Sequence, residues 1–162
     1  MTQLAIDTFM RQKLDRGTVV LISSIAAQLA PFPVPLYGAS KHAISGFVRS
    51  LAPLETTHRI RVNAVAPGIV KTSLWLDDEK KMAWVDEERD TWVEPSQVAQ
   101  VMLDLVQKEE HVGGTILEIG AEMVRKVDLL NDPGPNGKGH TMSSIDNAIG
   151  STMASVAETF GK

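Results

Sequence analysis

The chemistry that this sequence offers is concentrated in a serine, a tyrosine and a lysine between residues 24 and 41. Tyr37 and Lys41 are four residues apart, so on a helix their side chains lie on one face. A lysine ammonium beside a phenol stabilises the phenolate, which allows the tyrosine to exchange a proton with an alcohol or a carbonyl at neutral pH. Ser24 lies thirteen residues before Tyr37, and its hydroxyl can hydrogen-bond the same oxygen. These residues predict proton transfer at a substrate oxygen.

Each of these residues also has an ordinary structural interpretation. A tyrosine and a lysine at helical spacing are common as surface neighbours, and Ser23 or Ser24 can simply satisfy a backbone group in a turn. Spacing alone favours Ser24 over Ser23. Asn63, inside an apolar run, is interpreted as a structural strand residue.

Short apolar runs alternate with amphipathic segments, which predicts strands alternating with helices. The first strand is expected to be buried on both faces, and Pro53 predicts a kink or an early end in the helix that contains it. Alternation with short links predicts the α/β class, a parallel sheet covered by helices, with Ser24 at the carboxyl edge where ligands bind. The strands are expected at residues 18–23, 60–66 and 115–119, and the helices at residues 2–14, 36–55 and 94–106.

The remaining segments give weaker predictions. Residues 74–93 contain three tryptophans among charged residues, and we expect an irregular or short-helical segment that lines a substrate pocket or packs as core or lid. Residues 131–140 are rich in proline and glycine and are expected to form a linker, because their glycines follow no strand. An apolar spacing over 143–160 predicts a last helix. Two regions are therefore expected, 1–125 and a tail over 126–162.

Several pieces together resemble the short-chain dehydrogenase/reductase superfamily. They are Ile22-Ser23-Ser24, then Tyr37-Gly38-Ala39-Ser40-Lys41, then the run from Arg61 to Gly68 with Thr72 after it, and the late strand GGTILEIGA. They occur in the order and at the spacing of that family, across roughly residues 2–125. The resemblance implies part of a Rossmann-like doubly wound parallel sheet, of which three strands are recognisable here, followed by a helical tail.

The resemblance also implies roles for individual residues. Tyr37 would be the general acid/base, Ser24 would orient the substrate oxygen, and Lys41 would assist Tyr37 and hold the nicotinamide ribose. The loop beside the nicotinamide would be formed by Pro67, Gly68, Ile69 and Val70, whose backbone groups would meet the carboxamide. Thr72 would contact the nicotinamide amide or a phosphate. The implied reaction is hydride transfer between NAD or NADP and a secondary alcohol or ketone, with proton transfer supplied by the protein.

One part of the family pattern is not in this sequence. The glycine-rich turn that cradles the pyrophosphate would precede Ser24, and only 23 residues do. The expectation is therefore a C-terminal part of such a dehydrogenase, in which the first strand becomes an exposed edge. The alternative function is a catalytically inactive remnant or truncated product that acts as an interaction module, with self-association through the helix over 36–55, as is common in this family.

Composition excludes several other classes of function. A net charge of −4 without a basic stripe argues against nucleic acid and anionic membranes as partners. The longest purely apolar run has four residues, far below the roughly 20 that span a bilayer. The absence of cysteine removes disulfides and thiolate sites and favours the cytoplasm, and the four histidines have no metal-ligand spacing, so no metal site is expected.

Overall fold

The computed structural model describes residues 1–86, 90–129, 154–155 and 157–159. Between residues 1 and 129 of that part, six α-helices and four strands follow one another in the order α1, β1, α2, α3, β2, α4, α5, α6, β3 and β4. The helices are α1 Thr2–Arg11, α2 Pro35–Ser50, α3 Pro53–His58, α4 Ser73–Leu76, α5 Glu79–Met82 and α6 Pro95–Gln107. The strands are β1 Gly17–Ile22, β2 Ile60–Pro67, β3 Ile116–Ile119 and β4 Val124–Lys126.

The four strands form an open sheet in the order β1-β2-β3-β4. The first three are parallel, with Ile22 opposite Val65 and Ala64 opposite Ile116, and β4 pairs antiparallel to β3. Because successive residues of a strand point to opposite faces, β2 contributes to two separate cores. One contains Val62 and Ala64 with Met10, Val48 and Leu54 of α1, α2 and α3, and the other contains Val65 with Val101 and Leu105 of α6.

This arrangement confirms the predicted α/β class with helices on both faces of a mostly parallel sheet. The expectation of complete burial holds for β2, all of whose residues are buried, but it is wrong for β1. Along β1, five residues are half-buried and Ile22 is exposed, because β1 pairs only with β2 among the described residues. It is thus the expected edge strand.

Helix boundaries follow the prolines. The helix predicted over 36–55 is two helices, since α2 ends at Ser50 and Pro53 occupies the first turn of α3, where its missing N–H costs no hydrogen bond. The early end expected at Pro53 is confirmed. Pro95 begins α6 in the same way, and Glu94 and Gln97 form a reciprocal capping box there.

Two other differences from the predictions concern the strands that follow α6. Strand β4 was not predicted, because three residues, all exposed, carry no hydrophobic pattern. The third parallel strand begins at Ile116, after Gly114, which has a φ of +85° and closes a turn before it. The helix predicted over 143–160 lies largely outside the described residues, among which 154–155 and 157–159 are helical.

A buried arginine and a buried asparagine fix the connection between α6 and β3 to strand β2. The Arg61 guanidinium donates to the carbonyl oxygens of Val106, Lys108 and His111 at 2.8, 2.9 and 3.2 Å, at the end of α6 where a cation is favoured. Asn63 donates to the His111 carbonyl at 3.2 Å and accepts from the Thr115 N–H at 3.1 Å. The side-chain amide of Asn63 therefore bonds the backbone through both its nitrogen and its oxygen, which agrees with its interpretation as a structural residue.

Candidate active site

The predicted site residues lie at the carboxyl ends of β1 and β2. The Ser23 N–H donates to the Val65 carbonyl at 2.7 Å, which continues the β1–β2 ladder past the end of β1. Ser24 follows directly, and its Oγ lies 3.5 Å from the Pro67 carbonyl oxygen at the end of β2, a long hydrogen bond. The ladder thus brings Ser24 beside the loop that begins at Pro67, at the edge of the sheet where open α/β proteins bind ligands.

Ser23 and Ser24 have different roles in the structure. The Ser23 hydroxyl donates to the Lys41 carbonyl at 3.2 Å and lies 2.9 Å from the Ser45 Oγ, so it attaches α2 to the end of β1. Ser24 begins a 3-10 turn over Ile25–Ala27, and its Oγ accepts from the Ala26 N–H at 3.2 Å. The Ser23 hydroxyl is thus engaged with α2, whereas the Ser24 hydroxyl lies beside the end of β2.

Tyr37 and Lys41 lie in the first two turns of α2. The Lys41 Nζ is 5.4 Å from the centroid of the Tyr37 ring, within the range of a cation–π contact, and it donates to the Ile22 carbonyl at 2.9 Å. Tyr37 is 47 % exposed, whereas Ser24 is 7 % exposed. The lysine therefore links the tyrosine to the last residue of β1, two positions before Ser24.

Close packing at Gly38 sets the position of this part of α2. A Cβ atom on Gly38 would lie 2.7 Å from Cγ of Pro31, closer than real Cβ contacts come. The proline belongs to the loop between Ser24 and Tyr37, and its ring has no flexible end that could move aside. Glycine at position 38 thus allows the loop that follows Ser24 to lie directly against the helix that carries Tyr37.

The loop after β2 is held by backbone bonds on both sides. The Gly68 N–H donates to the Ile119 carbonyl at 2.9 Å. A parallel bridge joins Val70 and Val93. It consists of two bonds of 2.9 Å, one from the Val93 N–H to the Ile69 carbonyl and one from the Lys71 N–H to the Val93 carbonyl. Within the described part of the chain, the N–H groups of Ile69 and Val70 have no backbone acceptor. Thr72 ends this loop, where its Oγ1 donates to the Val70 carbonyl at 3.3 Å and its backbone precedes α4.

The tryptophan segment adjoins this loop. The rings of Trp75 and Trp92 meet edge to face with centroids 6.3 Å apart, and Trp92 precedes the Val93 that pairs with Val70. α4 and α5 are each four residues long, so the expected short-helical character of this segment is confirmed in its described part. Trp84 is exposed instead.

Comparison with known proteins identifies the family. The sequence model of the short chain dehydrogenases matches residues 1–83, which contain Ser24, Tyr37 and Lys41. The chain is 31 % identical over 134 residues to the 15-hydroxyprostaglandin dehydrogenase [NAD(+)] of Rattus norvegicus, covering 74 % of this chain and 50 % of that protein. This chain belongs to the short-chain dehydrogenase family.

Solved structures of dehydrogenases have the same fold. A protein from Agrobacterium tumefaciens, provisionally described as a 2-deoxy-d-gluconate 3-dehydrogenase with bound NADP, is 26 % identical, with a TM-score of 0.61 over 74 % of this chain and 51 % of that one. A 4-hydroxyisoleucine dehydrogenase complexed with NADH has the same TM-score and coverages at 23 % identity, which shows the fold alone. The chain spans about half the length of these relatives, so its sheet corresponds to part of their Rossmann-like fold.

Two further features are absent from the described residues. No group of three or more His, Cys, Asp or Glu side chains that could hold a metal ion occurs in them. None of the helices there is long and apolar enough to cross a membrane.

The backbone carbonyl of Ile22 accepts a hydrogen bond from Lys41, and the sequence did not predict this contact. A main-chain acceptor has no signature in residue types.

Proposed function

We propose that this chain carries the proton-transfer site of an NAD- or NADP-dependent oxidoreductase that interconverts a secondary alcohol and a ketone. The observation that carries the proposal is the Lys41 ammonium, 5.4 Å from the Tyr37 ring and bonded at 2.9 Å to the last residue of β1. Ser24 begins the turn that follows that strand. A substrate carbonyl oxygen can be protonated and oriented by a phenol, an ammonium and a hydroxyl that lie at one edge of the sheet.

The residues present fit the nicotinamide end of such a cofactor. An ammonium has three N–H donors, and the Lys41 bond to Ile22 uses one of them, which leaves donors for ribose hydroxyls. The N–H groups of Ile69 and Val70 have no backbone acceptor in the described residues, so they can meet a carboxamide. Pro67, Gly68 and Thr72 complete that loop. Bound NAD or NADP would supply or accept the hydride at the reacting carbon.

In the proposed mechanism, Ser24 and Tyr37 both address the substrate oxygen. During ketone reduction the Tyr37 O–H gives its proton to that oxygen, and the phenolate that remains is stabilised by the neighbouring Lys41 ammonium. Ser24 donates a hydrogen bond that orients the oxygen. During alcohol oxidation the same proton returns to Tyr37.

The lack of cysteine fits a reducing compartment, and we place this activity in the cytoplasm.

Cofactor binding by the purified chain tests this proposal. We expect the fluorescence of NADH or NADPH to change on binding, and a Lys41→Met variant to bind the cofactor about 10-fold or more weakly, because it loses charged hydrogen bonds. Arg16→Met is the matched control, since Arg16 pairs with Glu109 away from the site. A folded wild-type chain that binds neither cofactor would contradict the proposal for this chain.

A second candidate function is self-association, which the surface of α2 favours. Leu36, Ala39, Ala43 and Phe47 are all exposed and recur at intervals of three or four residues, so they form one face of the helix. Two copies of this face would bury each other's apolar side chains. Sedimentation of the wild type and of Phe47→Asp tests this, and a wild type that is monomeric at about 100 µM would count against it.

A further inference from the structure

Strand β4 reaches the turn that carries Ser24 through one side chain. Arg125 stands directly opposite Glu118 in the β3–β4 ladder. Its Nε and Nη2 donate to the two carboxylate oxygens at 3.0 and 2.6 Å, which is the two-point geometry that fixes a guanidinium. The same Nη2 donates to Oε1 of Gln28 at 2.9 Å. A strand that sequence patterns do not reveal therefore contacts a segment almost a hundred residues earlier.

Gln28 is the last residue of the turn that Ser24 begins. The Ala26 N–H donates to the Ser24 Oγ, the Ala27 N–H to the Ser24 carbonyl at 3.0 Å, and the Gln28 N–H to the Ile25 carbonyl at 2.9 Å. These bonds make residues 24–28 one hydrogen-bonded unit. A contact that fixes Gln28 therefore also limits the movement of Ser24.

The Arg125 contact is the one that orients the Gln28 side chain. Nε2 of that amide is buried and has no acceptor among the described residues, so Oε1 is the polar end that is held. The β3–β4 hairpin is itself anchored on its other side, where Gln97 of α6 donates to the Ala121 carbonyl at 3.1 Å. Arg125 thus projects from a hairpin that is fixed at its turn.

We propose that Arg125 is a positioning residue, which holds the Ser24 turn in place through Gln28 and so sets where the Ser24 hydroxyl meets the substrate oxygen. The inference rests on the proposed function for its catalytic consequence, while the positioning itself does not depend on cofactor or substrate. Glu118 supports it by fixing the guanidinium. Removal of Arg125 frees the turn without touching Ser24, Tyr37 or Lys41.

Amide hydrogen exchange in the purified chain, followed residue by residue by NMR, tests the positioning. We expect the amides of Ala26, Ala27 and Gln28 to exchange about 5-fold faster in Arg125→Met, as loss of one hydrogen bond implies. Gln28→Leu should have the same effect, and the double variant should exchange no faster than either single one. Gln28→Glu, which keeps an acceptor for Arg125, should retain the wild-type rate.

The control and the catalytic readout separate the inference from a general loss of stability. Arg16→Met removes an exposed arginine–glutamate pair elsewhere and should leave these three amides unchanged. If the wild type reduces a test ketone such as cyclohexanone with NADH, Arg125→Met should lower kcat about 5-fold and leave KM for NADH unchanged. Unchanged exchange in Arg125→Met, or an effect confined to β4, would overturn the inference. Failure of NADH binding would overturn only the proposed function.

Discussion

Replacement of Arg61 by methionine tests how the sheet is joined to α6. Methionine keeps most of the apolar stem, but it removes the guanidinium that donates to the carbonyl oxygens of Val106, Lys108 and His111. Arg61 is 6 % exposed, so the carbonyls that it leaves behind are poorly reached by water. The variant should therefore lose stability through unsatisfied acceptors as well as through lost bonds.

The magnitude follows from the three bonds. A hydrogen bond from a charged donor contributes about 1.5–3 kcal/mol, but bonds to one guanidinium are not additive and some carbonyls will recruit water. We expect the free energy of unfolding to fall by about 3 kcal/mol, and Tm by roughly 6–12 °C in a chain of this size. That is a large part of the roughly 5–15 kcal/mol that stabilises a domain.

Urea denaturation followed by tryptophan fluorescence measures the effect as a lower midpoint at constant m-value. Arg16→Met is the control, because its pair with Glu109 is exposed on both sides and should contribute less than about 1 kcal/mol. Arg61→Lys retains the positive charge but lacks the forked set of donors, so its free energy of unfolding should lie between those of Arg61→Met and Arg16→Met. If Arg61→Met is no less stable than Arg16→Met, the carbonyl contacts of Arg61 do not hold α6 to the sheet.

Two further predictions concern the helix of the site and a surface ion pair between Asp104 and Lys108. Gly38→Ala should destabilise the chain by about 1–3 kcal/mol, because its Cβ would overlap Pro31, and a thermal melt equal to the wild type would contradict this close packing. The hydrogen bond from Lys108 holds the pKa of Asp104 below its usual value, so this carboxylate stabilises the fold above its ordinary pKa and loses that effect as the pH falls through the lowered one. Asp104→Asn should therefore weaken the fall in Tm as the pH drops below about 4, most clearly at low salt, and an unchanged decrease at acid pH would count against the pair.

Sequence patterns predicted those parts of the fold that bury periodic apolar residues. Strand β2 and helix α6 were anticipated closely, because continuous apolar burial and an amphipathic helix with a proline at its first position leave clear patterns. Strand β4 was not, since its register comes from a cross-strand pair between Glu118 and Arg125 rather than from burial. The interruption of the long helix at Pro53 was predicted, but the separate helix α3 that begins there was not.

The candidate site was predicted by residue type and spacing, and its supporting contacts were not. Ser24, Tyr37 and Lys41 could be singled out because their chemistry depends on the side chains themselves. The acceptor of Lys41 is a main-chain carbonyl, and the partner of Gln28 lies 97 residues away, so neither can be inferred from local spacing. The preference for Ser24 over Ser23 rested on spacing and stays a prediction, with which the contacts of Ser23 with Lys41 and Ser45 agree.

The measurement that most directly tests the central claim is ketone reduction by the wild type and by Tyr37→Phe, with NADH and NADPH as cofactors. The phenylalanine variant keeps the ring beside Lys41 and removes the proton donor. We predict that kcat falls by about 10²–10⁴, the usual contribution of general acid–base catalysis, while the cofactor dissociation constant changes little. Full turnover by Tyr37→Phe would show that proton transfer does not depend on Tyr37 and would contradict the proposed mechanism.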